Sequence, residues 1–329
     1  MLQALITSGA SFLIAVFAPY VLLGLQPVHA PNDLVFVIEE RADRSEAAAD
    51  AQSISLHTDD GVIDILLEDY LVGVVFSEMP ASFHEEALKS QAVAARTFAL
   101  RRLEMKKHQG YDLCSDHACC QAWTSEERAR EKFGERYLTH WQSVKKAVED
   151  TAGEVLIYDG ELVEAVYFSC SGGSTEDAVA VWGSDVPYLR SVESSGEEHA
   201  PVFRTEKRCS SHDLRDKLRK KGIELQEDRD IRISAIEHTD GGGVARVCIS
   251  GQWISGTKLR SILGLNSARF TIRTEGDEFV FDVLGYGHRV GMSQYGADAM
   301  ADAGADYRTI LQHYYTNVTI DQMENRSSP

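Results

Sequence analysis

Residues 69–102, DYLVGVVFSEMPASFHEEALKSQAVAARTFALRR, set a single carboxylate, Glu78, between an apolar run and a capped helix. Val74-Val75-Phe76 precede it and Met79-Pro80 follow, so its surroundings are poorly solvated. Poor solvation disfavours the charged form and raises the pKa of an acid. Pro80 disfavours helical backbone at Met79, which ends the helical segment 67–76 close to Glu78 and leaves the acid at a turn. Ser82 followed by Glu85 has the form of a capping box and predicts a helix over 83–103. Leu88, Ala92, Ala95, Ala99 and Leu103 recur along it at helical spacing, a narrow apolar stripe of mostly small side chains. Lys89, Gln91 and Arg96 lie off that stripe. A carboxyl with a raised pKa is the group that general acid catalysis requires; a solvated Glu at a helix end, with Lys and Arg as surface charges, is the plainer alternative.

The chain has 329 residues and a formal charge of -18, from 51 acidic against 33 basic side chains. That length fits one main lobe plus a smaller second one. The charge repels nucleic-acid phosphates and argues against such a partner. The first 30 residues carry no Lys, Arg, Asp or Glu, and the apolar stretch 4–25 is long enough for a bilayer core of about 30 Å. It reads as a membrane helix or as a signal peptide, with Val28-His29-Ala30 satisfying a signal-cleavage pattern. The remainder is then expected outside the cytoplasm.

Residues 108–120, HQGYDLCSDHACC, concentrate soft ligands directly after the long helix. His108, Cys114 and Cys120 are evenly spaced, with Asp116, His117 and Cys119 as competitors. Thiolates and imidazole suit tetrahedral zinc, while a disulfide or free thiols would also account for the cysteines. The fourth ligand stays undetermined. Further on, residues 164–169 alternate as a strand that ends in the Gly-rich turn Cys170-Ser171-Gly172-Gly173, where a backbone can approach a ligand closely. Trp182 and Tyr188 offer aromatic faces for sugar rings, as well as ordinary core packing. Gly285-Tyr286-Gly287-His288-Arg289-Val290-Gly291-Met292-Ser293-Gln294-Tyr295-Gly296 is a loop dense in hydrogen-bonding groups, without the spacing of a nucleotide-binding motif.

Three separated segments carry a resemblance to a known family: GVVFSEMPASFHEEALKSQAVAARTFALR, FSCSGGSTEDAVAVWGSDVPYLRSV, and GYGHRVGMSQYGADAMA with the preceding ISGTKLRSILGLNSARF. Through them the chain resembles the stage II sporulation protein D family, lytic transglycosylases of spore engulfment whose relatives include amidase enhancers of the cell wall. The resemblance implies a cleavage of the β-1,4 bond between N-acetylmuramic acid and N-acetylglucosamine in peptide-free glycan, with Glu78 as acid and then base. It implies zinc at His108, Cys114 and Cys120, a membrane-anchored setting, and partners that include an engulfment amidase and a membrane scaffold protein. Lys89, Gln91, Arg96, Ser171, Gly172, Gly173, Tyr188, His288, Ser293, Gln294 and Tyr295 are the expected substrate contacts. Family members usually have Gly where this chain has Arg289.

The expected architecture is α+β. A catalytic lobe of helices on mixed or antiparallel sheet covers 59–211 and 267–320, a smaller α+β lobe is inserted at 212–266, and a cleft lies between them. Residues 1–30 form the anchor or signal segment, 31–58 a peripheral linker and 321–329 a tail. A wall module that binds glycan and stimulates an amidase without catalysis is the alternative function. Zinc-dependent hydrolysis is a third.

Overall fold

A hairpin leads into the helix that carries Glu78. Strands Ser53–Thr58 and Gly61–Leu66 pair antiparallel across a turn in which Gly61 takes a φ of 118°, and the chain passes straight from Leu66 into helix Leu67–Glu78. The computed structural model describes residues 52–225 and 230–323. The apolar stretch 4–25, and with it the choice between anchor and signal segment, lies outside the described residues. Among those described, no helix is long and apolar enough to cross a membrane.

From Tyr70 to Phe76 every residue of the first helix is buried, as a helix apolar on all sides requires. Met79 adopts extended backbone, with a φ of -125°, so the proline ends the helix at Glu78 as the sequence predicts. The next helix runs over Glu85–Met105. Its N-cap is His84 rather than the expected Ser82: the imidazole accepts the Glu86 N–H at 3.2 Å, and residues 80–83 are used in a turn closed by the Phe83 N–H on the Pro80 carbonyl. This helix is central and not amphipathic. Ser90 to Leu100 is buried throughout, because helices Leu67–Glu78, Tyr137–Asp150, Gln294–Asp302 and Tyr307–Tyr314 and strand Glu154–Tyr158 surround it. Its run of alanines lets those neighbours approach closely.

That enclosure reassigns Arg96. The side chain has no solvent exposure. Its guanidinium donates to both carboxylate oxygens of Glu68, at 2.8 and 2.6 Å, and to the carbonyls of Glu154 and Val148, each at 3.2 Å. It joins four elements of the core and is not available to hold a sugar. Lys89 is likewise engaged, with Glu85, Glu86 and Asp150 at 2.9–3.3 Å.

The fold is α+β, with several small sheets and no barrel. Strand Glu154–Tyr158 pairs with Thr319–Gln322 and Glu161–Leu162, and the short strands Tyr167–Phe168 and Met292–Ser293 run parallel. The strand expected over 164–169 is thus reduced to two residues, since the Val166 N–H turns back to the Glu164 carbonyl. The buried apolar side chains form two clusters. The second contains Leu214 and Leu218 of helix Ser211–Lys220, Val247 and Ile249 of strand Val244–Ile249, and Leu259 and Leu263 of helix Gly256–Leu263. It also takes Cys209, Phe270, Phe279, Phe281 and Val283, from strands Arg204–Ser210, Arg269–Glu275 and Glu278–Leu284, which lie beyond residues 212–266.

Arg289 links this second cluster's loops to the glycine-rich segments. Its φ of 68° is in the left-handed region that glycine enters freely and arginine does not. The side chain, 1% exposed, donates to Glu176 at 2.9 Å and to the carbonyls of Ser171, Ser174 and Gly241 at 2.9, 2.8 and 2.7 Å. Burial lowers its pKa to about 10, against the pull of Glu176. The backbone therefore keeps a glycine-like conformation, and four hydrogen bonds offset its strain of roughly 1–3 kcal/mol.

Arg96→Met preserves length but strips the Val148 and Glu154 carbonyls of their donor. It should lower unfolding free energy in urea titrations by about 2–4 kcal/mol.

Candidate active site

Glu78 is half-buried on the last helical position, where the C-terminal end of the helix dipole opposes a negative charge. No basic residue occupies that last turn. Its Oε1 accepts the backbone N–H of Ala122 at 2.8 Å. Burial raises the carboxyl's pKa above its ordinary value; the Ala122 hydrogen bond and the nearby His117 pull the other way without cancelling it.

The segment that brings Ala122 there is locked from both sides. Gln121, 2% exposed, accepts from the Tyr70 hydroxyl at 3.1 Å and donates to the Tyr167 hydroxyl at 2.8 Å. Trp123 and Thr124 then lie against the Glu78 helix at Gly73, where any Cβ would meet Trp123 Nε1 at 2.3 Å and the Thr124 carbonyl at 2.5 Å. Glycine at 73 is required by this approach.

Two hollows open beside the acid. One, of about 500 Å³, is walled by His117, Gln121, Tyr167, Phe168, Tyr286 and His288. The other, of about 550 Å³, is walled by Pro80, Trp123, Lys132, Phe133 and Tyr295. Glu78, Ser169 and Gln294 line both, so the carboxyl stands where they meet. Among the described residues, Glu78 is the one carboxylate that lines either hollow. No residue of 212–266 contributes to them.

Of the residues expected to contact substrate, His288, Gln294 and Tyr295 line the hollows with Glu78. The His288 ring packs on Phe168 and Trp182, with centroids at 5.5 and 5.4 Å, and its Nδ1 accepts the Val290 N–H at 3.1 Å. Burial lowers its pKa to about 4, so it is neutral at physiological pH. Gln91 is fully buried and stands behind Gln294, which donates to it at 3.4 Å. Ser293 caps helix Gln294–Asp302 by accepting the Gly296 N–H.

Ser171, Gly172, Gly173 and Tyr188 line neither hollow. Instead the Ser171 and Gly172 amides and the Ser171 hydroxyl donate to the buried carboxylate of Glu197 at 2.6–3.0 Å, and the Tyr188 hydroxyl accepts the Glu164 N–H at 2.9 Å. Glycine at 172 serves the chain itself, because a Cβ there would meet the Gly285 nitrogen at 2.8 Å. Side-chain reading passed over Ala122, whose contribution is a backbone N–H, and Gln121. Their position immediately after the cysteine cluster was the available signal.

In that cluster the donor atoms of His108, Cys114, Cys119 and Cys120 lie within 4.8 Å of one another. His108 Nε2 is 3.2 Å from Cys120 Sγ and 3.8 Å from Cys119 Sγ, and all the cysteines are free of disulfides. Converging thiols and an imidazole fit a metal ion. Asp116 and His117 stand outside the set. Cys119 and Cys120 also line the hollow of about 500 Å³ beside Glu78.

A raised pKa means that the folded protein binds this proton more tightly than the unfolded chain. Stability from it is present in full below the unfolded value and is lost as pH rises through the folded one. Glu78→Gln, which imitates the neutral form, should therefore be more stable than wild type at about pH 7.5, with the gain vanishing towards about pH 4, in parallel chemical denaturation curves.

Residues 55–158 match the family model described as SpoIID, stage II sporulation protein. Stage II sporulation protein D of Bacillus subtilis (strain 168) is 38% identical over 268 residues, covering 80% of this chain and 76% of the relative. That of Bacillus amyloliquefaciens is 37% identical over the same shares. The amidase enhancer of Bacillus subtilis (strain 168) is 28% identical over 309 residues, which cover 76% of this chain and 40% of that protein. Similarity of this extent, together with a family match over residues that include the acid's helix, makes the chain a member of the stage II sporulation protein D family.

Proposed function

We propose that this chain is a peptidoglycan lytic transglycosylase that cleaves the β-1,4 bond between N-acetylmuramic acid and N-acetylglucosamine in peptide-free glycan during engulfment. One observation carries the proposal: a single carboxyl, biased toward its protonated form, stands at the junction of two hollows. Such a junction suits a linear polymer that extends to both sides of the bond being broken.

Hydrolysis by inverting or retaining glycosidases uses two carboxylates, about 5–9.5 Å apart. A lytic transglycosylase needs one. Oε1 of Glu78 is occupied by the Ala122 N–H, so the proton is carried on Oε2 and passes to the glycosidic oxygen as the C1–O bond breaks. The carboxylate left behind is stabilised by the same N–H. It then takes the proton of the muramic C6 hydroxyl, whose oxygen bonds to C1 and closes the 1,6-anhydro ring. The proton count returns to its start and no water is consumed. Gln294 and Tyr295 are assigned to sugar hydroxyl and acetamido groups, and the neutral His288 to orientation rather than proton transfer.

Zinc is the ion proposed for His108, Cys114 and Cys120, on the softness of the donors. When bound, it supplies a cross-link that holds a loop. An engulfment amidase, a membrane scaffold protein and attachment through residues 4–25, with the rest outside the cytoplasm, complete the proposed setting. The second reading, a glycan-binding module that stimulates an amidase, is favoured by the 28% identity to an amidase enhancer.

Anhydro-muramyl ends, detected by mass spectrometry after digestion of purified peptide-free glycan, separate the two. Wild type should produce them, and Glu78→Gln should do so about 10²–10⁴ times more slowly while still binding glycan. Near-native turnover by that variant would remove Glu78 from the mechanism. Absence of anhydro ends with wild type would remove the transglycosylase reading, and the further absence of any newly formed reducing ends would leave the binding module.

A further inference from the structure

The cysteine cluster contains one more donor than the three that the zinc reading uses. Cys119 Sγ is 3.8 Å from His108 Nε2 and belongs to the set whose donor atoms are all mutually within 4.8 Å. Metal–sulfur and metal–nitrogen bonds of about 2.3 and 2.0–2.1 Å at tetrahedral angles place neighbouring donors about 3.3–3.8 Å apart. The 3.2 and 3.8 Å separations of His108 from Cys120 and Cys119 bracket the roughly 3.6 Å expected of such a nitrogen–sulfur pair. A disulfide would need sulfurs at about 2.05 Å, and all three thiols are free.

Adjacent cysteines face the same point because a turn forces them to. The amides of Cys119 and Cys120 both donate to the Asp116 carbonyl, at 3.0 and 2.8 Å, and Asp116 Oδ1 accepts the Ala118 N–H at 2.8 Å. The His108 ring is fixed by stacking on Tyr111, at 4.6 Å, which stacks in turn on His57 at 4.9 Å. Charge supplies an independent argument. Two thiolates balance a dication, whereas three leave one negative charge in excess. A cation stands where that excess would be: Lys107 Nζ is 3.2 Å from Cys119 Sγ and 3.0 Å from its carbonyl oxygen.

We propose that Cys119 is the fourth ligand, so that protein donors fill the coordination sphere and the ion acts as a structural pin for the segment Cys119–Ala122. No position is left for water, which separates this site from the open ones that catalytic zinc requires. Its structural effect reaches the acid through three consecutive residues: Cys120 on the ion, Gln121 bridging Tyr70 and Tyr167, and Ala122 donating to Glu78. The inference rests on the reading that the cluster holds a metal, and goes beyond it in the identity of the fourth donor.

Full-length protein is reconstituted with cobalt(II) in place of zinc, and its absorption spectrum is compared with that of Cys119→Ser. Three thiolates predict that the variant loses about one third of the thiolate-to-cobalt charge-transfer intensity; superimposable spectra at equal metal content would overturn the assignment. Wild type gives a second measurement that needs no variant. With zinc bound, iodoacetamide followed by peptide mass spectrometry should spare Cys119 together with Cys114 and Cys120, and chelation should expose all three. Rapid labelling of Cys119 while the other two stay protected would show a bound ion with Cys119 free and would sink this inference alone. A reconstituted wild type that retains no metal would remove both this inference and the zinc reading.

Discussion

A single hydrogen bond, from the Ala122 amide to Glu78 Oε1 at 2.8 Å, gives the rest of the site its shape. The acid ends a helix that is buried on every side, so its backbone cannot move without disturbing the larger core. The amide sits on a segment held at one end by Gln121 and its two tyrosines and pressed at the other against Gly73. The constraint is therefore two-sided. The hollows open along the seam where these two pieces meet.

The energetic balance around the carboxyl follows from that geometry. Burial and the end of the helix dipole disfavour its charge, while one backbone N–H and His117 favour it. In the proposed reaction the group must be protonated before bond cleavage and charged after it. A site that stabilised the anion strongly would hold no proton to give, and one that offered no donor would make the transfer uphill. One amide against substantial desolvation lies between these limits. Lys89 and Arg96, had they faced the acid, would have tipped the balance toward the anion; both instead spend their charge on other carboxylates.

What the sequence made legible was chiefly what is encoded locally. The end of the helix at Glu78 is written in Pro80, and the long helix that follows in its helical spacing of small apolar residues. Burial of Gln91 and Arg96 was not legible, because periodicity assigns polar residues to the outside and cannot register that five neighbouring elements close over the long helix. The Ser171–Gly173 turn carries the signs of a ligand loop, yet its donors converge on Glu197, a residue remote in sequence. Gly172 is explained by the approach of Gly285, and Gly173 by its φ of 115°. The Ala122 donor was invisible for a simpler reason: every residue but proline has an N–H, so sequence cannot mark the one that matters.

The two segments that flank the acid depend on different kinds of glue, and this bears on how the site holds its form. The Glu78 helix is fixed by apolar burial and by the Arg96–Glu68 pair, both of which persist wherever the core is folded. Between residues 106 and 119 the Ala122 segment contributes Leu113 to the main core and packs Tyr111 against it, and a two-residue strand at Leu113–Cys114 pairs with Ser53–Thr58; the rest is held by turns, single hydrogen bonds and the cluster of thiols. A short segment with so small a share of the core gains rigidity from cross-links as well as from packing. An ion held by the proposed ligands would place a cross-link immediately before Gln121 and make the position of one backbone donor insensitive to the loop that precedes it. The acid's environment then depends on how closely the helix and this segment meet, through the Tyr70–Gln121, Ala122–Glu78 and Thr124–Gly73 hydrogen bonds, which is why glycine at 73, at the contact surface between them, tolerates no larger side chain.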